Sequence, residues 1–150
     1  MALFNAFNIS ASGMTAQRLR TDILSQNIAN VNTTRTSDGT PYRRQNVVFT
    51  EKNATPFAKI LSMSSAGPIA NQVGSGVKVT QITEDYETPM NQVYDPSHPD
   101  ADENGYVTYP NVNIITEMTD LIDATRAYES NVTAFNGSKS MALKGLEVGR

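Results

Sequence analysis

The chain has 150 residues, 39% of them hydrophobic and 18% charged, with twelve Lys and Arg against fifteen Asp and Glu. A formal net charge of −3 and a pI near 5.1 leave no basic excess to neutralise phosphates, which argues against a nucleic acid or an anionic membrane surface as partner. Cysteine is absent, so disulfides, thiolate chemistry and Cys-ligated zinc are excluded, and no run approaches the ~20 apolar residues of a bilayer span.

The first thirty residues lack the basic and apolar regions of a secretory signal peptide. Leu3 to Val31 is instead a proline-free stretch in which Ile9, Ala16 and Ile23 recur every seven residues. Leu19, Leu24, Ile28 and Val31 lie beside them, which predicts a helix from about Asn5 to Asn30. Asn30-Val31-Asn32-Thr33-Thr34 supplies its stop, because Asn and Thr favour caps and turns over helix interiors. Its outer face is under-charged. Between residues 1 and 34 only Arg18, Arg20 and Asp22 carry charge, and Ser12, Gln17, Asn27 and Asn30 stand where a solvated helix usually places Glu and Lys.

Periodicity disappears over 35–76. Asp38-Gly39 is a hairpin-type turn signal ahead of a strand from Tyr42 to Thr50, giving a loop-rich segment with an expected β-hairpin. Thr55-Pro56, Gly67-Pro68 and Gly74-Ser75-Gly76 punctuate the residues beyond it. A short β region is expected over 77–112, led by the β-branched run Val77 to Thr83, with further strands at Met90–Tyr94 and Tyr106–Tyr109. All seven prolines lie between the two terminal stretches. A body this small and loop-rich is expected to lean on the helices or on neighbouring molecules.

From 113 to 150, steps of four and three pick out Ile114, Met118, Leu121, Tyr128, Val132, Phe135 and Leu146, with only Thr125 and Lys139 polar in the series. That is an a/d heptad seam, and a helix from about Ile114 to Val148 is expected to be roughly 50 Å long. Its outer positions are Thr, Ser and Asn, including Asn131 and Asn136. The expected fold is mainly α with a small β part, its N- and C-terminal helices packed as an antiparallel coiled-coil pair forming one unit of 1–34 with 113–150. Ile9, Ala16, Leu19 and Ile23 are the N-terminal share of the seam. The polar, low-charge faces are read as buried against other subunits.

Chemistry is scarce. Asp100-Ala101-Asp102-Glu103-Asn104-Gly105 has the D-x-D-x-N-G spacing of a calcium loop, but Asn111 stands where bidentate binding needs Glu, and Pro96-Ser97-His98-Pro99 cannot end an entering helix. His98 is the single histidine, so no multi-His site exists within one chain, and no Ser lies in a nucleophile-elbow context. Glu84, Asp85 and Glu87 cluster without Trp to line a sugar cleft. The expectation is no catalytic residue, no cofactor and no metal.

Ser10-Ala11-Ser12-Gly13-Met14-Thr15-Ala16-Gln17, running on to Asn27-Ile28-Ala29-Asn30-Val31-Asn32-Thr33, resembles the N-terminal signature of bacterial flagellar rod and hook proteins. Pro41-Tyr42-Arg43-Arg44, the stretch Val93 to Asp102, Gly105-Tyr106-Val107 and Pro110 to Asn113 are similar to the FlgC-type proximal rod branch, as are Glu117-Met118, Ala124 to Glu129 and Asn131 to Phe135. Thr34-Arg35 stands where many axial relatives carry a glycine, a variation that weighs against the distal rod and hook branches. The resemblance implies a non-enzymatic subunit of the basal-body rod, exported by the flagellar type III apparatus without a cleaved signal. It further implies a helical polymer around the export channel. Its implied partners are copies of itself, other proximal and distal rod proteins, the membrane-ring base of the motor and the export apparatus, with no bilayer insertion.

Overall fold

A computed structural model of the chain describes residues 2–52 and 75–148. The turn signals at Thr55-Pro56 and Gly67-Pro68, and Gly74, fall outside those residues. The described chain is helix, four short strands, helix: α1 (Ala2–Ala29), β1 (Gln45–Glu51), β2 (Val77–Glu84), β3 (Asn91–Tyr94), β4 (Tyr106–Tyr109) and α2 (Ile114–Val148). The expected class, mainly helical with small antiparallel sheets between two terminal helices, is the one observed.

Both helices run uninterrupted because their proline-free sequences give no break, and their ends carry chemical stops. Beyond α1, the Asn30 amide nitrogens of both backbone and side chain donate to Gln26 O at 3.1 and 2.9 Å, and Val31 N donates to Ile28 O in a tightened last turn. At the start of α2, Asn113 is the N-cap: its Oδ1 accepts from Ile115 N at 3.0 Å and its carbonyl from Glu117 N at 3.0 Å. At 35 residues α2 is about 50 Å long.

The strands form two two-stranded sheets, β1 with β2 and β3 with β4. In the second, Asn91 faces Tyr109 and Tyr94 faces Tyr106 in antiparallel register. Asp38-Gly39 sits in a turn closed by Gly39 N to Thr36 O and Thr36 N to Thr40 O, with Gly39 at φ 78°. A two-stranded ribbon is marginal alone, so side-chain anchors are expected to fix each sheet.

The chain clusters into two compact units. One holds 18–48 and 81–125; the other holds 2–17, 49–52, 75–80 and 126–148 among described residues. Within the first, Arg20 meets Asp120 and Asn27 meets Glu117; within the second, Phe7 meets Phe135 and Gly13 meets Asn131. Rising numbers on one helix match falling numbers on the other in each unit, so the helices run antiparallel. The apolar core is thin: among the described residues the buried hydrophobic side chains include Ala16, Ile23, Leu24, Tyr42, Val107 and Ala124.

Candidate functional site

Polar groups do much of the work that a larger apolar core would do. Asn27, wholly buried near the end of α1, uses its full hydrogen-bonding capacity. Its Nδ2 donates to Gln45 O and to Glu117 Oε2, both at 2.9 Å, and its Oδ1 accepts from Tyr42 Oη at 2.8 Å and Gln45 N at 3.0 Å. The side-chain amide pairs with Gln45 as a neighbouring strand would, so it ties the start of β1 to α1. Glu117, also wholly buried, accepts from Arg44 Nε at 2.5 Å on its other oxygen. Arg44 reaches Asp120 at 3.7 Å, and Asp120 accepts from Arg20 at 3.2 Å. Asn111 extends the cluster: its Oδ1 accepts from Arg44 N, and its Nδ2 donates to Asp85 O and Thr88 O. Burial, then the nearby Glu117 and Glu84 carboxylates, hold the Tyr42 phenol above its ordinary pKa.

The other unit has its own close contact. Ser12 Oγ donates to Ile9 O at 2.7 Å and accepts from Val77 N at 3.1 Å, fastening the start of β2 onto α1. Gly76 permits this approach, because a Cβ there would overlap Ser12 Oγ, and its φ of +99° favours glycine. Gly13 faces Asn131 so closely that a Cβ would stand 2.7 Å from Asn131 Oδ1.

Each residue expected in the assembly seam has a definite place. Ala16 and Ile23 are buried, and Ile9, Leu19, Leu121, Val132 and Phe135 are half-buried. Ile114, Met118, Tyr128 and Leu146 are exposed. Of the polar set, Asn27 is buried, Ser12, Gln17, Asn30 and Asn131 are half-buried, and Asn136 is exposed. Asn131 Nδ2 donates to Ala127 O, and Thr15, Thr119, Thr125 and Thr133 each donate to the carbonyl four residues back. These hydroxyls and amides are engaged on their own helices.

On α2 the residues that sink deepest are Glu117, Ala124 and Ser138, at seven-residue steps, with Asn131 half-buried at the step between the last two. Near its start α2 also turns an apolar row outward: Ile115 is 78% exposed, and Met118 and Ile122 are each 53% exposed. Their spacing of three and four puts them on one face of the helix.

The acidic side chains are engaged by nearby backbone amides and side chains. Asp102 Oδ1 accepts from the amides of Asn104 and Tyr106, and Asp100 accepts from Thr34 Oγ1 at 2.8 Å and lies 3.9 Å from Arg35. Asp85 accepts from Thr88 N and Oγ1 and from Glu87 N, and the Thr88 bonds hold its carboxyl below the ordinary range. Glu84 accepts from Tyr86 Oη, and His98 Nδ1 accepts from Asp100 N. These are turn-forming carboxylates. Among the described residues no group of three or more metal-ligating side chains converges.

Asn27 is visible in the sequence as a polar position on a helix, but nothing local ties it to Tyr42, Arg44 and Glu117. The available signal is the seven-residue series of Glu117, Ala124, Asn131 and Ser138, which apolar periodicity passes over. No helix among the described residues is long and apolar enough to cross a membrane.

Comparison with known proteins points one way. A sequence model of flagella basal body rod proteins matches residues 7–35, and one of the C-terminal part of flagellar basal body rod FlgEFG proteins matches 103–148. The chain is 46% identical to the flagellar basal-body rod protein FlgC of Borreliella burgdorferi, over 99% of the chain and 98% of that protein. It is 46% identical to the protein of the same name from Bacillus subtilis and 39% identical to that from Escherichia coli, with both chains covered completely each time.

Proposed function

The chain belongs to the flagellar basal-body rod proteins, of the FlgC type, and from that premise we propose that it polymerises helically through its terminal helices as part of the proximal rod. It is a structural, non-enzymatic subunit of the basal-body rod. The polymer forms a segment of the drive shaft that carries torque from motor to hook and encloses the export channel. Subunits reach it through the flagellar type III system and are required for motility. The helices of segments 1–34 and 113–150 make the polymer wall. Neighbours are further copies, other rod proteins, the membrane-ring base and, during delivery, the export apparatus.

One observation carries this reading: the outward apolar row Ile115, Met118 and Ile122 on a helix whose opposite side is held by the Glu117 cluster. Burying such side chains against a neighbour contributes about 1.5–3 kcal/mol each. A long helix packed on several neighbours at once gives stiffness under torque. The seam positions that are exposed in one chain, Ile114, Met118, Tyr128 and Leu146, are then available to neighbouring subunits.

The test replaces Ile122 or Ile115 by Asp. Both are exposed, so the purified variant keeps wild-type helicity by circular dichroism, while basal bodies isolated from cells carrying it stop short of a complete rod and the cells do not swim. Normal swimming with either variant would refute the proposed face.

A further inference from the structure

The two tight helix-to-helix pairs, Asn27 with Glu117 and Gly13 with Asn131, are each two heptads apart on both helices. We infer that these pairs form a register key, which selects one antiparallel alignment of α1 and α2 against alignments slipped by a heptad. The inference concerns the fold of a single chain and stands independently of the assembly reading.

At seven-residue steps α2 presents Glu117, Ala124, Asn131 and Ser138, and the matching steps on α1 are Asn27, Arg20, Gly13 and Ala6. Two of these layers are close contacts in the structure. In one, two wholly buried polar side chains hydrogen-bond each other; in the other, the Asn131 amide lies against Gly13, where a Cβ would stand 2.7 Å from its Oδ1. A slip in one direction puts Ala124 opposite Gly13 and Glu117 opposite Arg20, which leaves a gap at one layer and the buried Asn27 donor without its Glu117 acceptor at another, and takes Glu117 away from Arg44. A slip in the opposite direction puts Ala124 opposite Asn27 and Asn131 opposite Arg20, which again takes the Glu117 acceptor from Asn27 and sets the bulkier Asn131 where Ala124 had faced Arg20. An apolar seam has no such memory, because one Leu layer resembles the next. Buried polar residues fixing register in this way are well attested in helix pairs. A single orphaned buried donor is enough to disfavour a slipped alignment by about tenfold.

Arg44 gives the key a third contact. It holds Glu117 from the segment between α1 and β1, and its backbone is fixed by Asn111 just ahead of α2. Glu117 is therefore addressed both from the facing helix and from a loop anchored to its own helix start. Moving α2 by one heptad, about 10 Å, would break both.

The chain has no cysteine, so introduced pairs report without background. Gly13→Cys with Asn131→Cys reports the native alignment, since a Cβ on Gly13 would stand 3.0 Å from Asn131 Cγ, within disulfide reach. Gly13→Cys with Ala124→Cys, and Gly13→Cys with Ser138→Cys, report the two slips. With Asn27 and Glu117 intact, mild oxidation of the purified full chain is expected to close the native pair alone. With Glu117→Leu added, closure of a slipped pair should rise at least about tenfold while circular dichroism stays helical. Glu117→Gln, which keeps the shape and one acceptor, should give a smaller rise and decides the matter if the leucine variant unfolds. If either folded variant still closes only the native pair at its original rate, Glu117 does not set the register and the inference falls.

Discussion

Replacing Asn27 by Ala tests how far this fold depends on polar anchoring. The side chain is wholly buried and makes four hydrogen bonds, two donated and two accepted. Its loss strands the Tyr42 hydroxyl and Gln45 N–H as donors, and Gln45 O and Glu117 Oε2 as acceptors. Each bond is worth about 0.5–1.5 kcal/mol net, and each group left buried without a partner costs about 1–3 kcal/mol. Water entering the vacated space will satisfy some of these groups, and Arg44 still holds Glu117. A loss of about 3–5 kcal/mol is therefore expected, a large share of the roughly 5–15 kcal/mol that a domain possesses. In urea, with a slope of about 1–3 kcal/mol per molar, the midpoint should fall by about 2 M. Asn27→Asp is the instructive comparison. It keeps both accepted bonds, loses both donated ones and sets a second carboxylate against Glu117, so it should be at least as destabilising as the alanine. An Asn27→Ala chain that unfolds within about 1 kcal/mol of wild type would show the cluster to be incidental.

Three further outcomes are expected. Because the Tyr42 phenol titrates above 10.0 when folded, its contribution is fully present below the unfolded pKa and is lost as pH rises through the raised folded value. Stability of the wild type should thus fall above about pH 10 more steeply than that of Tyr42→Phe, as read from urea midpoints; parallel curves would contradict the assignment. Gly76→Ala should destabilise by about 1–3 kcal/mol through its positive φ and the clash with Ser12 Oγ, and Ser12→Gly in the same chain should recover the steric part only. A double variant no better than Gly76→Ala alone would show that the contact with Ser12 is not what excludes a side chain. Ile23→Asp and Leu121→Asp, which put a charge at a buried and a half-buried helix position, should abolish rod assembly and swimming, and normal swimming would count against the seam.

The two long helices and the strands are legible in the sequence because each rests on a local rule. Absence of proline and a seven-residue apolar period mark α1 and α2, and β-branched runs mark β2 and β4. The start of β1 is less legible: the strand begins at Gln45, because Tyr42 and Arg44 turn toward Asn27 and Glu117 before pairing begins. The polar cluster is hidden for a similar reason. Periodicity arguments count apolar letters, and Glu117, Asn131 and Ser138 are polar, so the deepest series on α2 reads as surface. Contacts between residues ninety positions apart, such as Asn27 with Glu117, leave no local trace. Family resemblance, by contrast, is legible at once, since its motifs are contiguous.

An ordinary surface helix buries its apolar stripe and offers charge to water. In α2 Glu117, Ala124 and Ser138 are turned inward, whereas Ile115, Met118 and Ile122 are turned out. For an isolated chain this arrangement sacrifices stability, because apolar area remains wet while polar groups must be matched one by one. For a rod subunit it separates two tasks that would otherwise compete. Directional hydrogen bonds such as Asn27 to Glu117 fix how the chain's own helices align, and they use little apolar surface to do so. The non-directional hydrophobic term, which is the stronger source of association, is then left for neighbours. A variant that placed polar residues outward at 115 and 122 and left Glu117 and Asn131 unchanged should accordingly keep monomer stability and lose the rod.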